Sequence, residues 1–284
     1  MNPITTELLN HPTLESVEYD FNDLANRWRT ASAQSSVGNL CVDYFTLDER
    51  LHTKMKSNVS FYEFVTDFEF WHSKPGVRRM YEECASKSYV KRVYSAYKMY
   101  LGICTIFKPL QTLRLLETLP CRKALLDPTA GWGGRLVGAC VRNIPEYIGI
   151  DSNVNLREPY SRLCNFLRER THTRTRMFFM NALAFDYSSV EYDLVLTSPP
   201  YYNLEKYREM EQYATRKKWV EEFYKPVFTR VYEGLMPGGA MAVNINADLY
   251  RVFVSIFGSE SFRIPMDSRG RDQQYREYVY VWVK

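Results

Sequence analysis

From Ala124 onward the chain keeps exchanging one hydrophobic rhythm for another, and that alternation limits its fold more than any other feature. Short apolar runs at 124–127, 147–151, 177–182, 193–197 and 240–246 have the length and composition of strands. Most are separated by segments with apolar residues at helical spacing, 136–142, 155–170, 217–235 and 249–257. Strands and helices in this order bury their faces best as a mostly parallel sheet covered by helices on both sides. Two closing runs, 261–265 and 275–284, have no helix between them. They are predicted to pair as an antiparallel hairpin at the edge of the sheet. The expected fold class is α/β.

Upstream the pattern differs. Residues 1–60 are polar and mixed, without a repeat or low-complexity tract. From Phe61 to about Thr118 the apolar spacing is helical, as in Phe61, Phe64, Val65 and Phe68, and again in Val90, Val93, Tyr94 and Tyr97. Pro75-Gly76 and Lys108-Pro109 punctuate it. The expectation is a helical N-terminal region over residues 1–104, serving target recognition or dimerisation, and a catalytic domain over 105–284.

Composition narrows the class further. A length of 284 residues suits one large domain, with or without an appendage. No apolar run approaches the roughly 18 residues that span a bilayer, and the start, Met1-Asn2-Pro3-Ile4, lacks the basic and apolar stretches of a signal peptide. Six cysteines lie scattered without a CxxC pair, and four histidines have no partner pattern. A metal site or a disulfide framework is therefore not expected, and the thiols should be reduced. The expected setting is intracellular, cytoplasm or nucleus, with no membrane contact. A net charge of +4 permits a nucleic-acid partner without requiring one.

Two motifs carry chemistry. The first apolar run ends in Asp127-Pro128-Thr129-Ala130-Gly131-Trp132-Gly133-Gly134-Arg135. Glycines there let backbone approach a ligand and start a helix tightly. Asp151 closes the second run, with Ser152 beside it. A carboxylate in that place can accept from both hydroxyls of a ribose. A dinucleotide fingerprint would need glycine at position 136, where Leu136 stands. The second motif is Ser198-Pro199-Pro200-Tyr201-Tyr202, directly after the run 193–197. Consecutive prolines fix φ and remove two backbone donors. The result is a stiff, acceptor-rich bend followed at once by aromatic rings, suited to stacking on a planar group while accepting from its amino hydrogens.

Taken in order, these residues resemble the amino-methyltransferases that modify exocyclic nitrogens of DNA bases, over about residues 105–284. Phe107-Lys108-Pro109 with Leu110, Leu113 and Leu116 is similar to the Lys-Pro helix of that family. The run Asp127–Gly133 resembles its Asp-Pro-Phe-x-Gly-x-Gly turn, although Trp132 and Arg135 replace small or hydroxyl residues. Thr197-Ser198-Pro199-Pro200-Tyr201 matches its catalytic loop, and Tyr207 recurs there too. The resemblance implies a Rossmann-like methyltransferase sheet with S-adenosylmethionine as cofactor. It places Lys108, Pro109, Asp127, Pro128, Thr129, Ala130, Gly131, Gly133, Asp151, Ser152, Asn181 and Ala182 around that cofactor. Asn181 is read as the end of the third strand, with Asp186 as a competitor for its role. Ser198, Pro199, Pro200 and Tyr201 become the catalytic residues. Serine at the first loop position implies cytosine N4 rather than adenine N6, by direct transfer to a base flipped from the stack if the substrate is duplex. Adenine N6 on DNA or RNA, and a catalytically silent binding subunit, are the alternatives. The implied partner is nucleic acid, DNA first, met by Tyr202, Lys206, Tyr207 and Arg208 and by Arg269 and Arg271 in the closing hairpin. A homodimer is compatible with the pattern. A second basic run, Arg162, Arg168, Arg170, Arg174 and Arg176, is open to phosphate contact or to simple solvation.

Overall fold

A computed structural model describes residues 3–10, 12–55, 57–202, 206–208, 213–266 and 277–284. The regular elements described in the N-terminal part are helices: α1 (Pro3–Asn10), α2 (Leu14–Arg27), α3 (Asn39–Leu51), α4 (Phe61–Thr66), α5 (Phe68–Ser73), α6 (Pro75–Glu82), α7 (Tyr89–Tyr100) and α8 (Pro109–Thr118). Local chemistry sets several starts. Thr13 caps α2, Ser60 and Glu63 form a reciprocal capping box on α4, and Pro75 and Pro109 open α6 and α8.

The remainder alternates β1 (Leu125–Asp127), α9 (Gly134–Val141), β2 (Glu146–Asp151), α10 (Arg157–Arg168), β3 (Arg174–Phe179), β4 (Leu194–Thr197), α11 (Arg216–Trp219), α12 (Lys225–Gly234), β5 (Ala240–Ile245), α13 (Ala247–Phe257), β6 (Phe262–Met266) and β7 (Glu277–Val283). Among the described residues the strands form one sheet in the order β3-β2-β1-β4-β5-β7-β6. Strands β1 to β5 are parallel, while β7 runs antiparallel to both β5 and β6. This is a Rossmann-like α/β arrangement, a mostly parallel sheet closed by an antiparallel pair of strands, as the sequence pattern predicted.

The period-two pleat sorts apolar side chains onto two faces. Leu125, Tyr147, Leu194, Leu196, Ala242, Val279 and Val281 join a core with α2, α3, α8, α9 and α10. Their neighbours Leu126, Ile148, Val195, Met241, Val243, Tyr280 and Trp282 join a second core with α12 and α13. A third, smaller core packs residues of α3, α4, α6 and α7. Helix α3 therefore belongs to two cores.

Two elements, and with them the place of one residue, differ from the sequence reading. The third strand is 174–179 rather than 177–182, because polar Arg174 and Arg176 suit an edge strand and both pair with Glu146 on β2. Asn181 lies beyond its end, as the cap of a single helical turn. The helix expected over 217–235 is broken by a π-helical turn, Val220–Tyr224, which ends one residue short of Pro226. Proline lacks the N–H and crowds the carbonyl four residues back, so the preceding turn widens.

Candidate active site

The sheet order itself locates the site. From β1 the chain winds outward to β2 and β3, then returns to place β4 on the other side of β1. Between β1 and β4 the winding reverses, and the loops leaving their carboxyl ends diverge to open a crevice. Those loops are the glycine turn and the double-proline loop. They line one cavity of about 480 Å³.

On the β1 side, Asp127 is wholly buried. It accepts from Arg135 Nε at 2.6 Å, the Tyr147 hydroxyl at 2.7 Å and the Thr197 hydroxyl at 2.8 Å. Arg135 Nη2 also donates to the Thr129 carbonyl at 2.6 Å. This ion pair fixes the turn from beneath rather than meeting a ligand through its carboxylate. The turn is held laterally too: the Ala130 N–H donates to the Ile150 carbonyl at 2.8 Å, and the Tyr160 hydroxyl to the Gly131 carbonyl at 3.0 Å. Gly133 adopts φ +91°, and a Cβ there would lie 2.8 Å from Leu163. A Cβ on Gly134 would lie 1.8 Å from the Phe107 carbonyl. Glycine thus lets α9 press against the approach to α8, which is why the Lys-Pro segment borders the cavity through Phe107 and Gln111.

Asp151 is half-buried at the end of β2. Its Oδ2 accepts the Gly131 N–H at 2.7 Å and its Oδ1 the Asn153 N–H at 2.9 Å. Burial outweighs these two bonds, and the carboxyl is pushed up to about 6. Asn153 in turn donates to Glu49 of α3 at 2.9 Å, and Glu49 forms an ion pair with Arg208. The N-terminal helices thereby brace the floor of the site.

On the β4 side, Ser198 donates to Asn244 Oδ1 at 3.3 Å, and Asn244 Nδ2 donates to the Tyr278 carbonyl at 3.2 Å. The Tyr224 hydroxyl, carried by the π-helical turn, donates to the Pro200 carbonyl at 2.6 Å. Tyr201, Tyr207, Tyr213, Trp219 and Phe223 complete an aromatic wall.

Of the residues singled out from sequence, Pro128, Thr129, Ala130, Gly131, Asp151, Ser152, Asn181, Ala182, Ser198, Pro199, Pro200, Tyr201 and Tyr207 line this cavity. Lys108, Pro109, Asp127 and Gly133 are not part of its wall. Lys108 donates instead to the carbonyls of Gln34 and Ser35, and Pro109 is buried. Tyr202 packs on Trp219, with ring centroids 5.6 Å apart. Lys206 bridges backbone to Lys54. Arg269 and Arg271 lie outside the described residues. Of the second basic run, Arg170 pairs with Glu18, and Arg174 and Arg176 with Glu146. Asn244, Asn153 and the aromatics Tyr213, Trp219 and Phe223 escaped sequence reasoning. A polar residue near the end of the buried run 240–245 was the one available signal, and it points to Asn244.

No protein-family model matches the chain, and no curated protein matches it. Solved structures do align with it. The N-methyltransferase NodS from Bradyrhizobium japonicum WM9 is 14% identical with a TM-score of 0.42, over 62% of this chain and 93% of that one. TrmN from Thermus thermophilus is 17% identical with a TM-score of 0.46, over 62% of this chain and 48% of that one. NSun6 from Pyrococcus horikoshii, solved with SFG, is 14% identical with a TM-score of 0.43, over 66% of this chain and 54% of that one. Likeness at this level concerns the path of the chain and not its substrate.

Proposed function

We propose that the chain is an S-adenosylmethionine-dependent methyltransferase acting on the exocyclic amine of a nucleic-acid base, with cytosine N4 of DNA as the first candidate. One observation carries this reading: the Asp151 carboxylate at the end of β2 and the double-proline loop with its aromatic walls line the same cavity. The residues fit the cofactor. Asp151 is held by two backbone N–H groups in an orientation set before any ligand arrives. Gly131 and Ala130 bring backbone to the wall beside it. When bound, S-adenosylmethionine supplies an electrophilic methyl group.

The chain's own residues prepare the amine. An aryl amine is a weak nucleophile because its lone pair is delocalised into the ring. Asn244 is oriented by its bond to the Tyr278 carbonyl, so its Oδ1 must accept and Ser198 must donate. With its proton directed to Asn244, the Ser198 oxygen offers lone pairs to an amino hydrogen. Tyr224 ties down the Pro200 carbonyl and braces the bend, and the companion acceptor is the Pro199 carbonyl. Two such bonds draw the nitrogen toward tetrahedral geometry and free its lone pair. Tyr201 stacks on the base and sets its plane, and the fixed alignment lowers the barrier by orientation. Serine in place of a carboxylate or amide at position 198 favours cytosine, and the basic residues Arg216, Lys217 and Lys218, exposed shortly beyond the loop, suit a phosphate backbone.

The test is incubation with labelled cofactor and separate DNA and RNA pools, followed by nucleoside digestion and mass spectrometry. A methyl group on cytosine N4 of DNA is the expected product. A methyl group on adenine N6 transfers the reading to that base, and no label in any nucleoside ends it.

A further inference from the structure

We infer that Arg135 forms a subsite for a carboxylate, and that the ligand group it takes is the carboxylate at the amino-acid end of the cofactor. The inference rests on the reading that S-adenosylmethionine binds in this cavity, and it concerns the charge that meets it there. Asp127 is sealed from the cavity, with its oxygens occupied by Arg135, Tyr147 and Thr197. Arg135 covers it and contributes to the cavity wall, with 5% of its surface still exposed. Of the charged residues lining the cavity among the described residues, Arg135, Asp151 and Glu277, it is the single cation.

Its donors are divided. Nε and Nη2 are engaged by Asp127 and the Thr129 carbonyl, which fixes the plane of the guanidinium. Nη1 makes no hydrogen bond to any described residue, so a guanidinium with five N–H donors keeps some uncommitted. Phe107, which also lines the cavity, lies with its ring centroid 5.2 Å from the guanidinium carbon. Burial alone would favour loss of the proton, but Asp127 outweighs it and keeps the group charged. The position is also the first turn of α9, where the helix dipole favours an anion. A buried, oriented, charged donor in a cavity wall is what a carboxylate requires, and the bond to it is charge-assisted.

Calorimetry on the whole chain tests this with three ligands: S-adenosylhomocysteine, its decarboxylated analogue, and 5′-methylthioadenosine, which lacks the amino-acid end. The native chain should bind S-adenosylhomocysteine about 10- to 100-fold more tightly than the decarboxylated analogue. The double substitution Asp127→Asn with Arg135→Met removes both buried charges together and should reduce that preference to within about threefold, with methylthioadenosine affinity kept. Arg135→Lys retains the charge without the fork and should lose at least about threefold of the preference, whether or not the double variant folds. Equal affinity of the native chain for the two larger ligands overturns the subsite while leaving the cofactor reading intact. A preference that persists in the variants does the same. Failure of all three ligands to bind the native chain overturns the cofactor reading and the subsite together.

Discussion

Protonation of Asp151 should weaken cofactor binding in the mildly acidic range, far above where an exposed aspartate would act. Its two backbone N–H bonds favour the carboxylate, yet burial prevails and raises the group to about 6. Only the ionised form can accept from two hydroxyls at once. About nine-tenths of the molecules are ionised at pH 7, about half at pH 6 and about a tenth at pH 5, so affinity should fall about tenfold between pH 7 and pH 5. S-Adenosylhomocysteine has no group titrating in that window, which makes it the right calorimetric ligand. Near pH 6 its binding should release about half a proton, read from the dependence of the heat on buffer ionisation enthalpy. The unliganded chain should trend oppositely. A carboxyl raised in the folded state keeps a proton that the unfolded chain has lost, so its stabilising contribution is present at low pH and disappears as pH rises through about 6. Asp151→Asn should flatten both slopes. Affinity that is level from pH 5 to pH 7.5, or an Asn variant with the native slope, would refute the reasoning.

Other substitutions separate the roles of the loop and the turn. Tyr201→Ala should keep cofactor affinity and lose about 10- to 100-fold in turnover, since stacking on a base is worth roughly 1–3 kcal/mol; unchanged turnover in a steady-state assay would remove Tyr201 from base binding. Tyr224→Phe deletes the donor to the Pro200 carbonyl and should cost about 1 kcal/mol, lowering the melting temperature by about 2–4 °C. Gly134→Ala should be far worse than Gly131→Ala. The first places Cβ 1.8 Å from a backbone oxygen, while the second meets nothing nearer than 3.9 Å and suffers only the strain of φ +62°. Thermal denaturation should show losses of about 3 kcal/mol or more for Gly134→Ala and about 1–2 kcal/mol for Gly131→Ala.

The parallel sheet, its closing hairpin and the two loops at its switch point were legible in the sequence, because strand periodicity, glycine and proline act locally. Asp151 and Ser198-Pro199-Pro200-Tyr201 could be placed for the same reason: each follows directly on a recognisable strand. What sequence could not decide was which groups face the cavity and which are consumed beneath it. Asp127 looked like a ligand-facing acid, yet Arg135, Tyr147 and Thr197 converge on it from three other elements and enclose it. Lys108 is drawn to carbonyls of the N-terminal region, some seventy positions earlier in the chain. Asn244 and Tyr224 reach the loop only because β5 lies beside β4 and a proline widens the helix that follows the loop. Local chemistry sets where a chain turns and what backbone it exposes there, but burial and charge neutralisation depend on partners distant in sequence, and those are known only after folding brings them together.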